Sequence, residues 1–210
     1  MKKFLLGLVA AIVFLTPQIS EGALTFYTDR ALWEAAVGSF ADVVITDGVT
    51  AGVPEALPFG HSITSSINLE LRQVPTTWAT WSGGHTPAVL WTLGATSGTG
   101  TFDSVLLTGF GLEMEPNPFS VHSMRLALSD GSFLDQDVAG SGGAKFFGWA
   151  GGSITSLTVS SDVDFAIGRL VIADEGEGGG GGPIIPEPVS MMLFGTGMAG
   201  LGVVTRKRKI

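Results

Sequence analysis

The sequence predicts an all-β protein: a β-sandwich with one short N-terminal helix, followed by a single C-terminal transmembrane helix. Three observations lead there. The middle of the chain is built of short runs rich in β-formers, spaced by Gly, Ser, Asp and Asn clusters, which favours a sandwich over alternating strands and helices. A single segment, "TDRALWEAAVG", carries helical spacing. The chain also closes on an apolar stretch followed by four consecutive basic residues.

The first segment, "MKKFLLGLVAAIVFLTPQISEGALTF", opens on Lys2 and Lys3, continues through an apolar run at 4–15 and ends polar. Twelve apolar residues suit a signal-peptide core and are short for a bilayer. Ser20 and Gly22 fit the small-x-small rule, so residues 1–22 are expected to be removed by signal peptidase. A cut after Ala23 is the near alternative, and an uncleaved anchor or buried helix is the other reading of the run.

In the helix, Thr28 is placed to cap the N-terminus and Asp29 suits the positive end of the dipole. Leu32, Ala35 and Ala36 share a face, and Gly38 can end the helix. Strands follow. "SINLELRQV" alternates at Ile67, Leu69 and Leu71, and "SVLLTGFGLEMEP" is rich in β-formers. "FSVHSMRLALSDGSFLDQDVAG" reads as two strands joined at Asp130-Gly131. "SITSLTVSSDVDFAIGRLVIA" alternates through Ile154, Leu157 and Val159 and then Val163, Phe165 and Ile167, with a phase shift near Leu157. The ectodomain is therefore placed at 23–173.

"DEGEGGGGGP" has nothing to bury, so 174–185 is a flexible Gly-rich linker, which Pro183, Pro186 and Pro188 then stiffen into an extended, non-helical strip. Residues 189–205 are apolar or small and span roughly 26 Å as a helix, close to the hydrocarbon thickness of about 30 Å. Arg206, Lys207, Arg208 and Lys209 stop transfer and place that end in the cytoplasm. The signal peptide requires the same orientation. "GTGMAG" at 195–200 matches a dinucleotide fingerprint, but it follows no strand of a βαβ unit and no acidic ribose partner comes after it.

Charge and composition exclude several functions. The chain of 210 residues holds 11 Lys+Arg against 19 Asp+Glu, and a mean hydropathy of +0.40 that the two terminal segments help explain. Without the signal and the basic tail, five basic residues face 18 acids, a net charge near −13. Nucleic acid and anionic lipid are poor partners for such a surface. There is no cysteine, hence no disulfide and no thiolate metal site. His61, His85 and His122 are scattered, no zinc-protease pattern occurs, and "AGSGG" around Ser141 lacks the first glycine of a nucleophile elbow. The protein is therefore expected not to be an enzyme and to need no cofactor.

The C-terminal order of parts carries a resemblance. Pro186, Glu187 and Pro188, then one span, then a basic end, resemble the PEP-CTERM sorting signal of exosortase-bearing Gram-negative bacteria, here 186–210. The motif is also catalogued as the ice-binding protein C-terminal domain, a label that is not evidence of ice binding. The resemblance implies an exosortase-type membrane enzyme as partner. It would recognise the triplet, remove the span and pass the protein from the inner membrane to the cell surface or exopolysaccharide matrix. A permanent C-terminal anchor with incidental prolines is the alternative. "LTFYTDRALWEAAVG", "GFGLEMEPNPFS" and "GAKFFGWAGGSITSLTVSSDVDFAIGRLVIA" resemble segments of ectodomains common among such proteins, which implies a jelly-roll-like sandwich without naming an activity.

Two sets of candidate binding residues remain. Trp78, Trp81, Trp91 and Trp149 could stack on sugar rings, although packing is the commoner use of tryptophan. Glu113 and Glu115, Asp135 and Asp137, and Asp162 and Asp164 lie two apart and could share Ca²⁺ through oxygen ligands. Solvated surface charge is the expected explanation of these acidic pairs.

Overall fold

The computed structural model describes residues 23–103 and 107–174. The readings of the signal peptide, the sorting triplet, the span and the basic tail, and nearly all of the linker, lie outside the described residues. Among the described residues no helix is long and apolar enough to cross a membrane.

The elements run β1 (Thr25–Tyr27), α1 (Arg30–Val37), β2 (Phe40–Asp42), β3 (Pro54–Ala56), β4 (Ser62–Ser65), β5 (Glu70–Gln73), β6 (Ala88–Trp91) and β7 (Ser97–Phe102). They continue with β8 (Leu107–Pro116), β9 (Val121–Leu128), β10 (Phe133–Ala139), β11 (Lys145–Ala150), β12 (Ser156–Ser161) and β13 (Phe165–Asp174). Two antiparallel sheets result. One has the order β1-β11-β8-β13-β6-β5, with β2 pairing β13 beyond the end of β6; the other has the order β10-β9-β12-β7-β4-β3. This is the predicted two-sheet sandwich with one short helix.

The sheets face each other across an apolar core. Phe110, Leu112 and Met114 of β8 and Trp149 of β11 meet Met124, Leu126 and Leu157 from the other sheet. Phe110 and Trp149 stack with ring centroids 5.5 Å apart. The β9–β10 hairpin turns at Asp130-Gly131 as predicted. Gly131 has φ +89°, a value glycine adopts freely, and Asp130 Oδ1 accepts the Ser132 N–H at 2.9 Å.

The first sheet is also covered on its outer face, which the sequence did not announce. Near β1 the cover is α1, and the buried stripe of that helix differs from the expected one. Leu32 is 66% exposed and Ala35 and Ala36 are exposed, whereas Trp33 is fully buried. Two facts select Trp33. Gly109 and Gly148 leave a hollow in the sheet into which its ring fits, and its Nε1–H donates to the Trp149 carbonyl at 2.7 Å. The N-cap is Asp29 rather than Thr28: its carboxylate accepts the Leu32 N–H at 2.9 Å. Gly38 ends the helix as expected, with φ +74° and its N–H on the Glu34 carbonyl.

Strand β13 holds the second departure. Gly168 lies opposite Glu113 and Val171 opposite Gly111, so one extra residue is accommodated between them. Arg169 takes φ +48° there, and the inward positions step from Ile167 to Leu170. The bulge turns Arg169 onto the outer face. Capping is tested by two substitutions: Asp29→Ala should lower stability by about 1 kcal/mol in urea denaturation, and Thr28→Ala should change it by a few tenths at most.

Candidate functional site

Trp78, Trp81 and the first acidic pair converge on one region, the outer face of the first sheet around the C-terminal half of β8. Alternation along β8 sends Leu112 and Met114 into the core and Glu113 and Glu115 outward. Residues 74–87, which join β5 to β6, fold back over that face and bury Val74, Trp78 and Trp81 against Val89, Ala144 and Ala166. Both glutamates therefore lie under a lid of chain. They are not solvated charges as expected: Glu113 is 5% exposed and Glu115 fully buried.

Each buried carboxylate is satisfied by donors from several elements. Glu113 accepts from the Trp81 indole N–H at 2.6 Å and pairs with Arg169 Nη1 at 2.6 Å, the guanidinium that the β13 bulge supplies. Among the described residues the donors to Glu115 are neutral and include the Thr80 hydroxyl at 2.9 Å, the Gly142 N–H at 2.8 Å and the Trp78 indole N–H at 3.3 Å. Burial pushes the Glu115 carboxyl above the usual carboxylate range, against the downward pull of those hydrogen bonds. The network joins β8, β13, the 74–87 connection and the turn after β10. Arg169, Thr80 and Gly142 were not singled out from sequence; an arginine interrupting the apolar run "AIGRLVIA" was the one available signal.

The remaining predicted residues are dispersed. Trp149 lies in the inter-sheet core, fully buried, and Trp78 and Trp81 point their N–H groups at carboxylates beneath the lid. Packing thus removes the rings of Trp78, Trp81 and Trp149 from any sugar stacking in this conformation. Trp91 alone of the four stays half-buried, with the Arg72 guanidinium over its ring at 4.7 Å and its N–H on Asp164 at 2.8 Å. Asp164 also accepts from Asn117, and Asp162 meets the His122 ring at 3.0 Å. Asp135 forms a two-point pair with Arg125, which holds its carboxyl below the usual range, while Asp137 projects on the same exposed face of β10. Among the described residues no three His, Asp or Glu side chains are grouped to hold a metal ion.

Glu115 gives a pH signature of definite sign. A carboxyl whose folded pKa is raised binds its proton more tightly in the native state. Its contribution to stability therefore falls as pH rises through the folded pKa, and is regained as pH drops toward the unfolded value of about 4.3. Relative to Glu115→Gln, the wild-type protein should gain stability when pH is lowered from neutral toward that value. Glu115→Ala at neutral pH should cost roughly 2–4 kcal/mol, because it strands buried donors. Urea melts followed by tryptophan fluorescence across pH measure both; a difference between wild type and Glu115→Gln that does not vary with pH contradicts the assignment.

Comparison with known proteins places the C-terminal segment. A search of curated proteins returned no match. Among solved structures, the Clostridium thermocellum N-terminal endo-1,4-β-D-xylanase 10B CBM22-1–GH10 modules complexed with xylohexaose align over 51% of this chain and 25% of that one, at 11% identity and a TM-score of 0.32. So low a score carries no argument about fold or function. A family model matches residues 185–209, the segment that holds Pro186, Glu187, Pro188 and the four basic residues. The chain carries a PEP-CTERM protein-sorting motif at residues 185–209.

Proposed function

We propose that this is an exported protein of a Gram-negative bacterium whose tail is recognised by an exosortase-type membrane enzyme. The jelly-roll-like body is delivered to the cell surface or exopolysaccharide matrix and serves there as a non-catalytic structural or adhesive component. The observation that carries this reading is the sorting motif at 185–209. Its chemistry is coherent. Prolines on both sides of Glu187 disfavour a helix there, the residues that follow are apolar or small, and the tail is basic, the order of parts that a membrane-embedded processing enzyme would need. The body supports a binding or scaffolding role over catalysis, because its two most buried carboxylates are occupied by internal donors. A permanently anchored surface protein and a carbohydrate-binding module are the competing assignments, and no exposed tryptophan pair favours the latter.

Two measurements bear on this. Glu187→Ala should leave insertion and orientation intact but accumulate as an unprocessed, membrane-bound precursor, detected by fractionation and intact mass. Wild-type protein recovered from its own host with residues 206–210 still attached would instead make it a plain anchored protein. Ca²⁺ up to millimolar concentration should leave the melting temperature unchanged, since the oxygens of Glu113 and Glu115 already accept hydrogen bonds. A saturable rise would assign a calcium site to the remaining aspartates.

A further inference from the structure

The sandwich core is not filled at one side. Between β6, β8 and β13 of one sheet and β3, β4, β7 and β12 of the other lies a cavity of about 180 Å³, walled by the segment 43–49. Its lining is largely aliphatic, with Leu90 from one sheet and Val159 from the other on opposite sides. The volume suits a small hydrocarbon body: an apolar cavity of roughly 150 Å³ takes up benzene.

The rim gives the ligand a charge preference. Glu55 on β3 stands directly opposite Ile63 on β4, and Ile63 packs onto the core, so Glu55 projects on the same inward face. It is half-buried and makes no hydrogen bond or ion pair among the described residues. Asp47 adds a second carboxylate to the lining, and no basic residue is present there. A half-buried carboxylate without a partner at the mouth of an apolar cavity favours a cation whose body is hydrocarbon, and repels an anion.

We infer that this cavity binds a small apolar amine, its hydrocarbon body between the sheets and its ammonium group on Glu55. The segment 43–49 is the part that binding would quiet. It has no regular secondary structure and is tied down by the Val43 N–H on the Leu170 carbonyl and by pairing of Val49 with Leu69. Local opening there exposes the cavity, and an occupant suppresses it.

The test compares cyclohexylamine, cyclohexanol and cyclohexanecarboxylate on the full-length chain in lipid nanodiscs, reading amide hydrogen exchange of residues 43–49. Partition into lipid is common to all variants and cancels between them. Cyclohexylamine should slow exchange saturably, at a concentration at least tenfold below that needed with cyclohexanol, and the carboxylate should have no effect. Glu55→Gln, close to isosteric and at a sheet edge, should bring the amine to the level of the alcohol. Val159→Phe or Leu90→Phe, each filling the cavity from a different sheet, should abolish the effect of both. No saturable effect in the folded chain, equal protection by the carboxylate, or an amine effect that survives both filling variants overturns the inference.

Discussion

The outer architecture depends on one constraint: strand β8 is buried on both faces. Its inward side chains make the sandwich core, and its outward positions lie under α1 at one end and the 74–87 connection at the other. A strand in that position cannot leave polar groups unsatisfied, because water does not reach them. The small residues Gly109 and Gly111 take the stretch where Trp33 and Phe146 press closest. The two glutamates take the other stretch, and the 74–87 connection, the β13 bulge and the turn after β10 donate to their carboxylates.

That requirement explains features that look unrelated along the chain. The β13 bulge places Arg169 against Glu113, the turn after β10 offers the Gly142 N–H to Glu115, and two tryptophans serve as lid and donor together. Such a network ties distant segments to one strand, since losing a donor leaves a buried carboxyl oxygen short of a partner. In a chain without cysteine, such ties do work that disulfides cannot. Among the described residues the second sheet has no equivalent cover: Ser123, Arg125, Asp135 and Thr101 face outward on it. The strongly acidic body is thus polarised, with one sheet enclosed and the other open to surroundings.

Individual elements show how far local rules reach. The β9–β10 hairpin was legible because Asp130-Gly131 combines a turn-forming carboxylate with a residue free to take positive φ, and both signals act within four residues. The helix was legible in position but not in rotation. Leu32, Ala35 and Ala36 form a plausible apolar face, yet the hollow over Gly109 and Gly148 and the Trp149 carbonyl turn Trp33 inward instead. The cap moved by one residue for a related reason, since Asp29 and Thr28 are both competent and geometry chose the carboxylate.

The sequence by itself determined the strand-rich class, the helix, the hairpin and the sorting tail, because each rests on periodicity, turn chemistry or an ordered motif confined to neighbouring residues. Only the tertiary structure decided which charges are buried. Glu113 and Glu115 carry the same two-residue spacing as Asp135 and Asp137, and nothing local separates a solvated pair from an enclosed one. What separates them is a connection 14 residues long, from 74 to 87, folding back across β8, with donors arriving from strands far away in the chain. Burial is a property of how segments meet, and for these carboxylates that meeting depends on the whole sheet order.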